Sequence, residues 1–509
     1  MPADESRFNL FDYFLSEDRL DEIGDRTAIE FRGNRYTYRQ LRNQVEYWKR
    51  QILSNGISEG ERVAVLLFDS PELIACFLAT ASIGAVCVPI NTFLSAADVS
   101  FILSDSGARL VIVESELTDR VQRLEGRFVV PVDSATRTAL IQLDNATSQT
   151  ATAQTTRESP AFLLYTSGST GAPKGVLHLH GSIPYTVESY SANVLGLTGE
   201  DRVYSSSRMF FAYGLGNSLS FPLAAGATVL LDTERAAAPY LAKLIADRSP
   251  TVFFGVPAVY LSLLEHRASG GLVDFSRLRL CVSAGEALPG KIFEDWRREF
   301  GLTILDGIGS TEMLHIFISN SQGDARAGSS GTVVKGYGAR LLDDTGSDVG
   351  PNELGNLWVR GGSATAGYWN RPELTDQTIR DGWVRTGDVY QRDSENFYFH
   401  IGRSDDCFKV RGLWVSPVEV ESVLISHESV SEAAVVSALD DKGLATARAY
   451  VVIRQGERGE ALIEAIRSFA GLRLPQYKVP SQIEFIEEMP RTSTGKVQRY
   501  KLRAESRRA

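Results

Sequence analysis

Between Tyr165 and Gly175 the chain reads YTSGSTGAPKG, so Thr166, Ser167, Gly168, Ser169, Thr170, Gly171 and Lys174 follow directly on the apolar run FLL. Hydroxyl donors, a lysine and glycines that let backbone amides approach closely are what an oxyanion such as phosphate needs. Gly168, Gly171 and Gly175 are expected to supply positive φ. Spacing excludes a P-loop, which needs Gly-Lys followed by Ser or Thr; here Lys174 precedes Gly175 and follows Pro173. No Rossmann GxGxxG stands in this loop either.

Further segments combine glycine with polar and charged residues: DGIGSTE (306–312), VRTGDVY (384–390), GRSDDCFKVRG (402–412) and PRTSTGKVQR (490–499). Taken alone, an acid such as Asp388 reads as surface charge, and Lys496 as part of a solvated basic tail with Arg499, Lys501 and Arg503. His178 and His180 alternate along an expected strand with no third ligand nearby, which makes a poor metal site.

In order, these segments resemble the motifs of the adenylate-forming superfamily, which includes acyl-CoA synthetases, carrier-loading adenylation domains and luciferases. The resemblance spans nearly the whole chain and implies two half-reactions. A carboxylate attacks the α-phosphorus of ATP, releasing pyrophosphate; a thiol then displaces AMP from the acyl-adenylate. Anion meets anion in the first step, so positioning and charge neutralisation must carry it.

The resemblance assigns the 166–174 loop to the β- and γ-phosphates, Thr311 to the α-phosphate and Glu312 to Mg2+. Lys496 becomes the lysine that bridges the substrate carboxylate and the α-phosphate. Asp306, Gly307 and Ile308 form the adenine segment. Many members carry a stacking aromatic where this chain has Ile308, so adenine is expected to rest on apolar contact, with backbone near Gly285 and Glu286 reading its edge. Asp388 would accept hydrogen bonds from the ribose, which an ionised carboxylate does well, with Arg403 assisting. Asp405 falls at the hinge. Lys409 and Gly412 belong to a segment that would move toward the thiol; Gly412 reads either as backbone past which the thiol arm slides or as a turn glycine. ATP, Mg2+ and coenzyme A, or the phosphopantetheine of a carrier protein, are the implied cofactors.

FFAYGLGNS (210–218), SAGEALP (283–289) and DGIGSTEMLHIF (306–317) resemble the benzoate-CoA ligase branch. That implies an aromatic acid lying among Phe211, Ala212, Tyr213, Ala284, Gly309, His315 and Ile316. A flat slot with glycine floors and aromatic walls suits a ring. No acid stands out there for the ammonium of an amino-acid substrate. His315 has two readings, a polar contact to the ring or a neutral structural histidine. An aryl-acid CoA ligase is the leading expectation, with a small-molecule carboxylic acid and CoA as partners. A stand-alone ligase loading an acyl carrier protein, a non-catalytic nucleotide-binding protein and a luciferase-like oxygenase are the alternatives. A homodimer is compatible with the resemblance, which leaves the oligomeric state open.

The elements that must position these residues are legible from composition and pattern. A chain of 509 residues exceeds one core, and 43% hydrophobic with 23% charged residues is an ordinary globular balance. A net charge of -10 argues against nucleic acid as partner. The four cysteines are scattered without a CxxC pair, which fits a reducing, cytoplasmic setting. The N-terminus lacks a signal-peptide pattern, and the apolar stretch 73–90, divided by Gly84 and Pro89, reads as a buried helix and strand with no membrane span.

Strands are expected at 62–68, 108–114, 227–231, 251–257 and 278–285, alternating with helices such as 289–300, which argues for α/β layers with largely parallel sheets. The glycine-dense stretch from about 328 to 400 reads as a small β subdomain. SPVEVESVL opens a helix with Ser416 as cap, Pro417 at the first position and Glu419 closing a capping box. The expected architecture is therefore a large N-terminal α/β domain, 1–404, followed by a small mobile α+β domain, 405–509.

Overall fold

The computed structural model describes residues 7–121, 127–141, 143, 151–167, 173–410, 413–439, 443–454, 458–491 and 497–506. The chain divides into two compact units, Met1–Ala339 with Val359–Val384, and Arg340–Trp358 with Arg385–Ala509.

In the larger unit, the described residues form two sheets. One has nine strands. Its centre is the parallel run Arg202–Ser205, Val252–Gly255, Leu280–Ser283 and Ile304–Gly309, continued antiparallel by Ile316–Ser319. The other has seven strands, with Val86–Pro89, Arg62–Leu66, Leu110–Glu114 and Phe128–Val132 parallel and Pro160–Ser167 hairpinned to Pro173–Leu179. The central parallel strands, such as Val86–Pro89, Leu110–Glu114, Val252–Gly255 and Leu280–Ser283, are buried throughout, as parallel sheets covered on both faces demand, whereas the edge strand Phe128–Val132 is largely exposed.

Helix Pro71–Ser82 is buried along its whole length, capped by Ser70 with Pro71 at its first position. With helix Tyr38–Ser54 it shares one core with Ile29 and Val229 of the first sheet and Val63, Val65 and Ile112 of the second. The stretch 73–90 is thus the expected helix and strand. No helix among the described residues is long and apolar enough to cross a membrane.

The glycine-dense stretch contributes a further sheet from Gly338–Leu342, Leu354–Arg360, Ile379–Arg380, Trp383–Arg392 and Tyr398–Arg403. In the smaller unit, helices Pro417–Ile425 and Glu460–Gly471 pack with the strands Val430–Leu439, Ala445–Ile453 and Gln482–Phe485 around Val420, Leu424, Val435, Val451 and Ile466. The capping box is only half made. The Ser416 hydroxyl accepts from the Glu419 amide at 3.1 Å, but the Glu419 carboxylate pairs with Lys478 at 2.6 Å, and a full charge outcompetes the return bond to a backbone amide. Cys76, Cys87, Cys281 and Cys407 are unpaired thiols.

Candidate active site

Gly309 ends the strand Ile304–Gly309 at the carboxyl edge of the parallel run, where open α/β sheets place their ligands. The loop Ser310–His315 then turns back into Ile316–Ser319. A side chain does not fit at Gly309, because a Cβ there would stand 2.6 Å from the His315 carbonyl oxygen. Leu314 completes the turn with a φ of 67°, a left-handed backbone that a leucine adopts only when its surroundings enforce it.

Those surroundings are three successive carbonyls, each tied from outside. His178 donates through Nε2 to the Thr311 oxygen at 2.8 Å, the Thr365 amide to the Glu312 oxygen at 2.7 Å, and the Ser363 hydroxyl to the Met313 oxygen at 2.8 Å. The loop carrying Thr311 and Glu312 is therefore fixed before any ligand arrives, the preorganisation that electrostatic catalysis requires. His178 is buried and lowered to about 4 by that burial, so it is neutral and donates as a neutral ring. His180 is likewise lowered to about 4 by burial and accepts from the Leu10 amide through Nδ1 at 3.1 Å. Both histidines fasten backbone.

The hairpin that carries the expected phosphate loop joins the same locus through Tyr368. Thr166 pairs with Lys174 and Ser167 with Pro173, so the two ends of the loop stand side by side. Lys174 lies over the Tyr368 ring, its Nζ 5.2 Å from the centroid, and the Tyr368 hydroxyl donates to Glu312 Oε1 at 2.7 Å. Tyr368, which sequence reasoning passed over, therefore connects the predicted phosphate lysine to the predicted magnesium acid. Its only signal was an aromatic pair in the glycine-rich AGYWN. Gly175 departs from expectation: it is a strand residue whose missing Cβ admits the Tyr165 ring, 3.0 Å from where that Cβ would be. Gly168, Ser169, Thr170 and Gly171 lie outside the described residues, as do Gly412 and Lys496.

The predicted acyl residues Ala212, Ala284, His315 and Ile316 are buried, and Phe211 and Tyr213 partly so. Helix Ala212–Leu215 widens into a π-helical turn, Gly216–Ser220, a feature frequent at functional sites. That turn brings the Asn217 Oδ1 to 3.1 Å from His315 Nε2. A Cβ at Gly216 would lie 2.4 Å from His315 Cδ2, so glycine lets the imidazole sit against the helix. Rings of Phe221, Tyr190 and Tyr213 surround it with centroids at 4.6, 5.2 and 5.5 Å. Burial lowers His315 to about 3, leaving the ring neutral. Tyr213 donates to the carbonyls of Gly255 and Val282, both at 3.2 Å, which fixes its ring at the ends of two strands.

In the segment expected to face adenine, Asp306 pairs in register with Ser283, and Gly307 with Ser319. Asp306 is buried with Oδ1 unpartnered, and burial raises it to about 8 against the Ser283 hydroxyl and the Leu288 and Gly307 amides. Ile308 is half-buried; Gly285 and Glu286 follow the neighbouring strand as exposed backbone, Gly285 with a φ of 94°.

In the smaller unit, Asp388 lies within the strand Trp383–Arg392 and pairs in register with Arg403. Its Oδ1 is 3.3 Å from Arg403 and 3.5 Å from His400 Nε2, and its amide donates to the Thr386 hydroxyl at 3.1 Å. Burial pushes the carboxyl up, but His400 and Arg403 outweigh it and hold the acid below its usual range. Arg403 also donates to the Thr386 carbonyl at 2.8 Å. Lys409 lies exposed on Phe408–Val410, its Nζ 4.6 Å from the Trp414 ring centroid. The Cys407 thiol is pushed up to about 12, chiefly by burial, and is no nucleophile at neutral pH.

A fixed loop presenting a threonine and an acid, beside a lysine hairpin and an aromatic pocket at a sheet's carboxyl edge, is the layout of enzymes that adenylate acids. The AMP-binding enzyme family matches residues 16–369 and its C-terminal domain matches 419–496, and the chain belongs to these adenylate-forming enzymes, in the benzoate-CoA ligase branch. It is 40% identical over 507 residues to a benzoate–CoA ligase of Thauera aromatica, covering 98% of this chain and 96% of the relative. It is 38% identical to a 4-hydroxybenzoate–CoA/benzoate–CoA ligase of Rhodopseudomonas palustris, covering 94% and 92%. Among solved structures, the anthranilate CoA ligase AuaEII in complex with anthranoyl-AMP superposes with a TM-score of 0.91 at 36% identity, covering 98% of both chains. The benzoate CoA ligase from Burkholderia xenovorans LB400 superposes with a TM-score of 0.88 at 38% identity, covering 97% of this chain and 100% of that one. The fold is accordingly a large N-terminal α/β domain followed by a small C-terminal one.

Proposed function

We propose that this enzyme activates a benzoate-type carboxylic acid with ATP and transfers the acyl group to coenzyme A, giving an aryl-CoA thioester, AMP and pyrophosphate. The single observation that carries the reading is the loop Ser310–His315. One rigid turn holds Thr311 and Glu312 for phosphate at one end and His315 for the acid at the other, so both reactants meet across it. In the first step a carboxylate oxygen bonds to the α-phosphorus and the bond to pyrophosphate breaks. In the second, the thiol sulfur bonds to the acyl carbon, the bond to AMP breaks, and the thiol proton leaves to solvent.

The phosphate hairpin with Lys174 holds the leaving pyrophosphate, Thr311 the α-phosphate and Asp388 with Arg403 the ribose. Adenine lies on Ile308, Gly307 and Asp306, with backbone at Gly285 and Glu286 along its edge. Lys496 neutralises charge between carboxylate and α-phosphate. The small domain, 405–509, swivels at Asp405 between the two steps, withdrawing Lys496 and bringing Lys409 and Gly412 to the thiol. Unpaired cysteines suit a reducing, cytoplasmic setting.

Magnesium fits Glu312. One hard carboxylate beside a phosphate-binding lysine suits an ion that takes few protein ligands and completes its shell with phosphate oxygens and water. When bound, the ion neutralises phosphate charge.

The test is pyrophosphate release across benzoates, hydroxy- and aminobenzoates, cinnamates and medium-chain acids, with and without CoA. Turnover confined to benzoates with a CoA thioester as product is expected; preference for medium-chain acids would sink the reading. A mass shift on a carrier protein with no CoA product would replace CoA as acceptor. That outcome is worth testing because the chain is also 33% identical to a p-hydroxybenzoic acid–AMP ligase of Mycobacterium tuberculosis, covering 97% of this chain and 68% of that protein.

A further inference from the structure

Helix Arg499–Ser506 begins just after Lys496 and is bound to the segment that follows Asp405. Arg499 reaches the Glu421 carboxylate with NH2 at 2.7 and 2.9 Å and Nε at 3.2 Å, and lies 3.7 Å from Asp406. Glu421 is buried in helix Pro417–Ile425 and also accepts from the Val435 amide at 2.8 Å. One turn further along, Arg503 donates to Asp406 Oδ1 at 2.9 Å and to the Asp405 carbonyl at 2.7 Å. On the other side of Arg499, Arg491 bridges Val497, and the Gln498 amide donates to the Pro490 carbonyl at 2.7 Å.

Stereochemistry decides which of these contacts survive a swivel at Asp405. Its only soft rotations are about N–Cα and Cα–C, and both carry the 405–406 peptide plane along with everything after it. The Asp405 carbonyl and the Asp406 carboxylate therefore travel with Arg499, Arg503 and Glu421, and their mutual bonds are kept. Among the described residues, the bonds that straddle the rotation and must break include those from the amides of Asp406, at 3.0 Å, and Cys407, at 2.8 Å, to the Arg403 carbonyl, and that from the Ser416 hydroxyl to the Ile401 carbonyl.

We propose that Asp406, Arg503, Arg499 and Glu421 are positioning residues that lock the hinge to the base of the Lys496 segment, so that rotation at Asp405 is delivered to Lys496 undiminished. This rests on the reading of Lys496 and Asp405 given above. A carboxylate on the moving side is required at Asp406 because two guanidinium groups converge on it. The neutral isostere leaves them partly unpaired and loosens the helix that follows Lys496.

Pyrophosphate exchange measures adenylation; thioester formation from supplied benzoyl-AMP measures the second step alone. Asp406→Asn and Arg503→Gln should each lower adenylation about tenfold while the second step stays within about twofold, since misplacement of a reacting group is felt only where that group acts. Asp406→Glu should recover most of the loss. Glu421→Gln should follow Asp406→Asn if it folds, and the half-exposed Asp406 series decides the matter if it does not. Equal loss in both steps, or no loss in adenylation, would overturn the proposal. Lys496→Ala runs alongside. If it abolishes adenylation while the Asp406 and Arg503 variants do not, the network alone fails; if it leaves adenylation intact, the reading of Lys496 fails and the network's role with it.

Discussion

The turn Ser310–His315 and the segment Thr386–Asp406 are held in opposite ways. The first is fastened by neutral groups: a buried imidazole, a backbone amide and a hydroxyl that donate to it and, at its far end, an asparagine oxygen that accepts from His315. The second is fastened by ions, Asp388 with Arg403 and Asp406 with Arg499 and Arg503. A buried neutral hydrogen bond costs its full desolvation when broken, whereas a partly exposed ion pair exchanges with water or ligand at little net cost. The first arrangement suits a template that must not move. In the second, the Asp388–Arg403 pair would suit the proposed gripping and release of a nucleotide, while the Asp406 pairs lie wholly on the moving side of the proposed hinge.

The widest separation of the two regions is expected from Lys496→Ala. Adenylation should fall by about 10²–10³, the range for removing a preorganised transition-state charge partner, while thioester formation from supplied adenylate changes only several-fold. Equal losses would make the lysine structural. Asp388→Asn comes next. An acid held ionised by His400 and Arg403 accepts strong hydrogen bonds, so its loss should raise the KM for ATP about 10–100-fold with little change in KM for the acid. A change in the acid's KM of the same size would contradict the division of labour.

In the template region, Gly216→Ala probes the opposite selectivity. The new methyl would collide with His315, at 2.4 Å from Cδ2, so the imidazole or the π-helical turn must shift. Overpacking of this kind costs about 1–3 kcal/mol. Stability should fall and the KM for the acid should rise about tenfold, while the KM for ATP stays near that of the wild type; unchanged acid binding would remove His315 from the pocket wall.

How far the sequence foretold these regions follows the same division. Strands built from short apolar runs, such as Arg62–Leu66 and Leu280–Ser283, and the cap Ser416 before Pro417, obey rules local in sequence and stood where expected. Thr311, Glu312, Asp388 and Arg403 were singled out because the segments that carry them resemble the family's motifs; taken alone, an acid such as Asp388 reads as surface charge. What holds them was not legible. His178 and Thr311 are 133 positions apart, and Tyr368 and Glu312 are 56 apart. No local pattern announces such pairs. The π-helical turn at Gly216–Ser220 also left no trace in periodicity, and Gly175 carried the look of a loop glycine while serving as close packing in a strand. Chemistry was written locally; its support was not.

Asp306 sharpens the comparison, since it buries an acid on the strand Ile304–Gly309 that leads into the neutrally fastened turn. Burial raises it to about 8 in the folded protein, whereas an unfolded chain ionises it near about 4. Between those values the folded state keeps a proton that the unfolded state has lost, so this residue's contribution to stability falls as pH rises from about 4 to about 8 and is level beyond. Asp306→Asn keeps the shape and removes the titration. The variant should match the wild type near pH 4 and melt several degrees higher near pH 8.5. The buried histidines run the other way: His178 and His180, lowered to about 4, and His315, lowered to about 3, take stability away as pH falls below their unfolded value. The difference between variant and wild type, measured by thermal denaturation across pH, cancels that shared term and isolates Asp306. A difference that stays flat would show the carboxyl ionised in the folded enzyme, a buried charge on the strand that leads into the turn.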